Sequence, residues 1–164
     1  MRDERFRAKY RGEGLGAEEH RLLAVWAADC AERVLPLFTA FYPQDHRPQK
    51  AIETVRAWAK GEATLGEARA AAFAAQAALE AAAKAAARAA GQAVSTAHMA
   101  DHSLGAAYSA VKAVRAANGG DEAAANLERS WQRARLPEKV WALVQAAEAD
   151  RRRGLGYKGA PRDP

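Results

Sequence analysis

The chain is short of almost everything that marks an extracellular, membrane or cofactor-bound protein. It has one cysteine, Cys30, in 164 residues, so no intramolecular disulfide can form. Its longest stretch without a charge, Ala89–Ala100, is 12 residues and contains Gln92, Ser95, Thr96 and His98. A membrane span needs roughly 20 apolar residues. The N-terminal Met1–Arg11 alternates charges and has no apolar run, which is unlike a secretory signal. These absences predict a cytoplasmic protein with no membrane association. No glycine-rich phosphate loop, serine nucleophile motif or paired-acid signature occurs, and no cofactor is expected. β-Branched residues are scarce and nothing alternates with a period of two, which argues against a sheet.

Alanine is abundant: 45 of the residues are Ala. Alanine loses no side-chain entropy in a helix and has the best intrinsic helix propensity. It also buries little area, and burial is worth only ~25 cal/mol per Å². Stability must then come from helices that approach closely, with the few Trp, Phe, Leu and Val side chains set at the contacts. The expectation is all-α: a compact bundle of about five to seven helices, with Ala-rich contacts.

The net charge of +5 invites a nucleic-acid reading, but its distribution opposes one. Residues 1–11 carry +3 and residues 151–164 carry +4, which leaves −2 on residues 12–150. A groove-binding fold places its positive charge on the folded body. Three segments are therefore expected: a basic flexible tail over 1–16, a helical domain over 17–150 and a second basic tail over 151–164. Solubilising ends are the simpler reading of those tails.

Along the chain, large apolar residues at three- and four-residue steps predict a first helix over Ala17–Ala40, from Leu22 through Trp26, Cys30, Val34 and Phe38 to Phe41. Pro36 is expected to kink it or end its regular part early. A second helix runs from Pro48 to Lys60 and stops at Gly61. Thr64 and Glu67 have capping-box spacing and open an Ala-rich stretch that continues to Asn118-Gly-Gly. That stretch is too long for one helix in a compact domain. A break is expected near residues 81–91, with Gly91 as the joint and one helix over Gly91–Ala117. Asp121 is the expected N-cap of a helix to about residue 134, and a last helix spans 137–152. Trp131 and Trp141 are expected to lock these C-terminal helices onto the bundle.

The sharpest polar feature is His98-Met-Ala-Asp101-His102. Two His four apart on one helix face suit two metal ligands, with Asp101 to orient a ring or act as a third. No Glu follows His98 directly, so the zinc-protease pattern is missing, and His bonded to neighbouring helices is the simpler reading. Asp29 and Cys30 form a second group. Cys30 reads as a small core residue, or as a nucleophile if the fold brings His98 near. Arg56, Trp58 and Arg69 form a third, as structural ion pairs with Asp29 or Glu67, or as an anion site. The candidate ligand- or partner-binding residues are thus Asp29, Cys30, Arg56, Arg69, His98, Asp101 and His102. His98 and His102 are the only metal candidates, and no catalytic residue is assigned.

The stretch His20-Arg-Leu-Leu-Ala-Val-Trp-Ala-Ala-Asp-Cys-Ala-Glu-Arg-Val-Leu35 resembles the opening of the Imm-five-like family of bacterial immunity proteins. So do Arg56-Ala-Trp-Ala-Lys-Gly-Glu62, Gly91-Gln-Ala-Val-Ser-Thr-Ala-His98, His102-Ser-Leu-Gly-Ala-Ala107 and Glu128-Arg-Ser-Trp-Gln132 with Leu136-Pro137. The resemblance covers about residues 17–145 in the expected order, and the basic tails lie outside it. It implies a non-catalytic binding protein that neutralises a cognate protein toxin. Two alternatives stand beside it: a small-molecule-binding protein or enzyme with a polar pocket around His98 and His102, and a weak nucleic-acid binder acting through its tails. An Ala-rich helix face also suits a homodimer.

Overall fold

The structure is a computed structural model that describes residues 3–6, 15–74 and 80–152. Seven α-helices and no β-strand are present among the described residues. They are α1 (Ala17–Thr39), α2 (Arg47–Lys60), α3 (Leu65–Ala74), α4 (Ala81–Ser95), α5 (His102–Ala117), α6 (Glu122–Ala134) and α7 (Glu138–Arg152). No described helix is long and apolar enough to cross a membrane.

α1, α4 and α5 pack on one another most extensively. α2 covers α1 and α4, α3 rests on α2 and α4, and α6 rests on α5. Alanine makes this possible. α4 buries Ala83, Ala86, Ala89, Ala90 and Ala93, each at 0% exposure, so neighbouring backbones meet it at close range. Phe38, Leu23, Val34, Val55 and Val94 fill the wider gaps. α7 makes slender contact with α1 and is held by buried Leu136, Val140, Val144 and Ala147. The ion pair Lys139–Glu18 at 2.5 Å joins α7 to α1, and Arg133–Glu148 at 3.4 Å joins α6 to α7.

Local signals explain most helix ends. Gly61 adopts φ 81°, a left-handed conformation open to glycine. Both halves of the capping box form: the Thr64 N–H donates to Glu67 Oε2 at 2.7 Å, and the Glu67 N–H donates to Thr64 Oγ1 at 3.2 Å. The Asp121 carboxylate accepts from the N–H groups of Ala123 and Ala124.

Several expectations need correction. Pro36 does not end α1 early; the helix continues to Thr39. Pro36 is exposed in the final turn, where its ring meets solvent and its carbonyl still accepts from the Ala40 N–H at 3.1 Å. Phe41 lies beyond the helix and is 58% exposed. Gly91 is no joint but a buried residue inside α4, which starts after Glu80. The start of α4 at Ala81 falls at the edge of the expected break, and a further break that the periodicity hides lies at residues 96–101. There the Ser95 hydroxyl bonds the Gly91 carbonyl at 2.8 Å and the Thr96 hydroxyl bonds the Gln92 carbonyl at 3.2 Å. Such back-bonding competes with the helical ladder, and the next N–H groups reach back only three residues, Ala97 to Val94 and His98 to Ser95. In the N-terminal segment read as tail, Glu4–Phe6 forms a 3-10 helix and Phe6 is 2% exposed. Arg5 pairs with Asp150 of α7 at 2.9 Å. Residues 153–164 lie outside the described residues.

Candidate functional site

The break after Ser95 changes how the imidazoles meet. His98 is in the turn and His102 opens α5, so the two are not a same-face helical pair. Their rings still lie 5.2 Å apart. The His102 Nδ1–H donates to Gln92 Oε1 at 2.7 Å, which ties α5 back to α4. A Cβ at Gly105 would come within 2.7 Å of that same oxygen, so the missing side chain there makes room for the amide. Asp101 sits at the N-cap position of α5 but makes no side-chain capping bond. Its Oδ1 is buried without a hydrogen-bond partner among the described residues.

His20 closes this end of the bundle. Its Nε2–H donates to the Thr96 carbonyl at 2.5 Å, and its ring lies 5.0 Å from that of Trp58. Burial pushes the His20 pKa down from 6.5, and the bond to Thr96 offsets part of that. The folded protein therefore binds this proton less readily than the unfolded chain does. Between the two values stability rises with pH, so it declines as pH falls below about 6.5. Urea unfolding of His20→Gln from pH 7 to pH 5 is expected to show a flatter profile than the parent; an unchanged slope would assign the dependence to another group.

A second polar group joins α1 to α2. The Arg56 guanidinium donates to Asp29 Oδ1 at 2.8 Å and to Glu32 Oε2 at 2.7 Å. Burial opposes the charge on Arg56, but the two carboxylates outweigh it and its pKa is raised. A third group joins α1 to α6. Arg33 Nε donates to Glu128 Oε2 at 2.7 Å, although Glu128 is only 2% exposed. Gln132 Nε2 donates to Glu128 Oε1 at 3.0 Å and to the Ala107 carbonyl at 3.1 Å. Trp26 Nε1 donates to the Gln132 carbonyl at 2.9 Å. Every polar atom of this network that the fold buries is matched by a partner, as a low-dielectric interior requires.

Cys30 lies at 0% exposure. Burial, and then the charges of Glu128 and Asp29, push its thiol well above the usual range. A thiol so held stays protonated, the reverse of an activated nucleophile.

The seven candidate residues therefore do not share one pocket. His98, Asp101 and His102 cluster at the turn between α4 and α5. Asp29 and Arg56 pair with each other, Cys30 is interior, and Arg69 is exposed on α3. His20, which touches that turn, precedes Asp29 by nine positions, roughly 13 Å along the helix axis. An open hollow lined by residues 42–47 and Lys50 includes none of the seven. Among the described residues, no group of three or more His, Cys, Asp or Glu side chains is placed to hold a metal. The residue pattern missed the Arg33–Glu128–Gln132 network. Its signal was the spacing of Glu128 and Gln132, four apart and in line with Ala125, which puts two polar side chains on the inner stripe of α6.

Residues 13–139 match the family model described as Imm-5 like putative immunity protein. The chain belongs to this family. The match takes in α1 to α6, the whole of the three polar groups, and the first two residues of α7. No curated protein and no solved structure shows significant similarity to the chain. For this Imm-5 like protein, then, fold and polar chemistry are read from its own residues.

Proposed function

We propose that this Imm-5 like protein is a non-catalytic binding protein that holds and neutralises a cognate protein toxin. The observation that carries the reading is the family match over residues 13–139, which takes in nearly all of the helical body. The state of the reactive groups agrees with it. The thiol of Cys30 is interior and protonated, Asp29 is engaged by Arg56, and the ring of His102 is tied to Gln92. Those side chains serve the rigidity of the bundle, and a rigid body that changes little on binding loses less entropy in forming a complex. Inhibition is then surface complementarity, with no bond made or broken.

Co-expression with the product of each neighbouring gene that arrests growth of a host tests this reading. The expected result is restored growth with one of them and a complex that survives size-exclusion chromatography. No rescue and no complex with any would overturn it.

A further inference from the structure

The outer face of α6 has an arrangement that its helical role leaves unused. Leu127 is 73% exposed, the highest value among the exposed large hydrophobic residues described. At 100° per residue it points away from the buried stripe of Ala125, Glu128 and Gln132. Trp131 follows one turn later on the same side, partly exposed. Two guanidiniums flank its indole: Arg33 Cζ lies 4.3 Å from the ring centroid and Arg135 Cζ lies 4.9 Å from it.

The two arginines are held in different ways. Arg33 is anchored through Nε to buried Glu128 at 2.7 Å, and its Nη groups make no hydrogen bond to a described residue. Arg135 has no carboxylate within ion-pair distance among the described residues. One indole thus orders two guanidiniums whose remaining N–H donors are unspent. An arginine fork is built for bidentate pairing with a carboxylate, and an ordered one loses less entropy when it binds. Arg and Trp also dominate the energetics of protein interfaces. A lone exposed Leu is ordinary, but Leu127 sets an apolar contact directly beside these donors. A phosphate backbone has no use for that contact, whereas a protein surface does.

We propose that Leu127, Trp131 and Arg135 of α6, with Arg33 of α1, form the surface that meets the toxin. The partner presents an acidic segment there, a carboxylate flanked by apolar side chains. This rests on the reading of the protein as a toxin-binding immunity protein, and names the face and the partner chemistry.

The test is the affinity of the purified full chain for the toxin that it rescues, by titration calorimetry. Arg135→Glu and Leu127→Asp alter exposed side chains, and circular dichroism checks that each variant melts like the parent. Leu65→Ser is the comparison, since α3 packs on α2 and α4. Arg135→Glu is expected to weaken binding on the order of 100-fold and Leu127→Asp about 30-fold, with Leu65→Ser within about 3-fold. Added salt should weaken the parent more than Arg135→Glu. Unchanged affinity in both α6 variants would overturn the surface and leave the toxin-binding reading standing. Tight binding of a labelled single-stranded RNA, lost in Arg135→Glu, would overturn the acidic-protein assignment. A parent chain that binds no toxin would remove both readings together.

Discussion

Trp26→Ala is expected to lower the unfolding free energy by about 4 kcal/mol, the upper range for removal of a large core side chain. Trp26 is 2% exposed and couples α1 to α6 through the Gln132 carbonyl at 2.9 Å. Of the 36 buried hydrophobic residues described, 21 are Ala. Alanine has no rotamer with which to fill a neighbour's space, so the cavity left by an indole stays open and its lining loses dispersion contacts. Trp26→Phe keeps much of the packing and removes one of the two hydrogen bonds to the Gln132 carbonyl, which still accepts from the Arg135 N–H at 3.3 Å, at about 1 kcal/mol. Urea unfolding gives both values. Amide exchange in α6 should quicken in each, because the hydrogen bond that pins this helix is gone. A loss below about 1.5 kcal/mol for Trp26→Ala would mean that α6 docks by other contacts.

Arg33→Met is the second large effect. It strands Glu128, which is 2% exposed and retains only the bond from Gln132 at 3.0 Å. Breaking one side of a buried ion pair costs about 3–5 kcal/mol. The side chain of Arg33 is 43% exposed, so water reaches one side of the pair, and about 2–3 kcal/mol is the expected loss. Adding Glu128→Met to that variant should restore the protein to within about 1 kcal/mol of the parent, since two apolar side chains need no partner. The double-mutant cycle separates the coupling from the packing. If Arg33→Met and the double variant were equally unstable, the role of Glu128 would be one of shape, and the charge pair would contribute nothing.

These two residues also show where residue patterns ran out. Cys30, Val34 and Phe38 fall on an inner stripe readable from spacing alone, and all three are buried. Hydrophobicity alone marks the C-terminal tryptophans as anchors. Trp141 is instead 50% exposed, and Trp131 lies beneath two guanidiniums, because smaller Val140, Val144 and Ala147 suffice for a helix that rests lightly on α1. The break at residues 96–101 was masked by alanine, which carries a helical pattern through any register. Its true signal was the adjacent Ser95 and Thr96, whose hydroxyls compete for helical carbonyls. Helical spacing pairs the imidazoles by the wrong geometry: His98 and His102 meet across a turn, where Gln92 orients one ring.

What the residues determined unaided was local and statistical: all-α content, the capping box at Thr64, the glycine stop at Gly61, the cap at Asp121, and the family to which the chain belongs. Each depends on positions a few residues apart, or on a pattern shared along the whole chain. Tertiary structure alone decided which polar side chains are buried and by what they are matched. Arg33 meets Glu128 across 95 positions, His20 meets Thr96 across 76 and Trp26 meets Gln132 across 106. An alanine-lined helix carries no side-chain mark of its neighbour. The choice of partner is made by how closely the backbones approach, and only the folded body sets that distance.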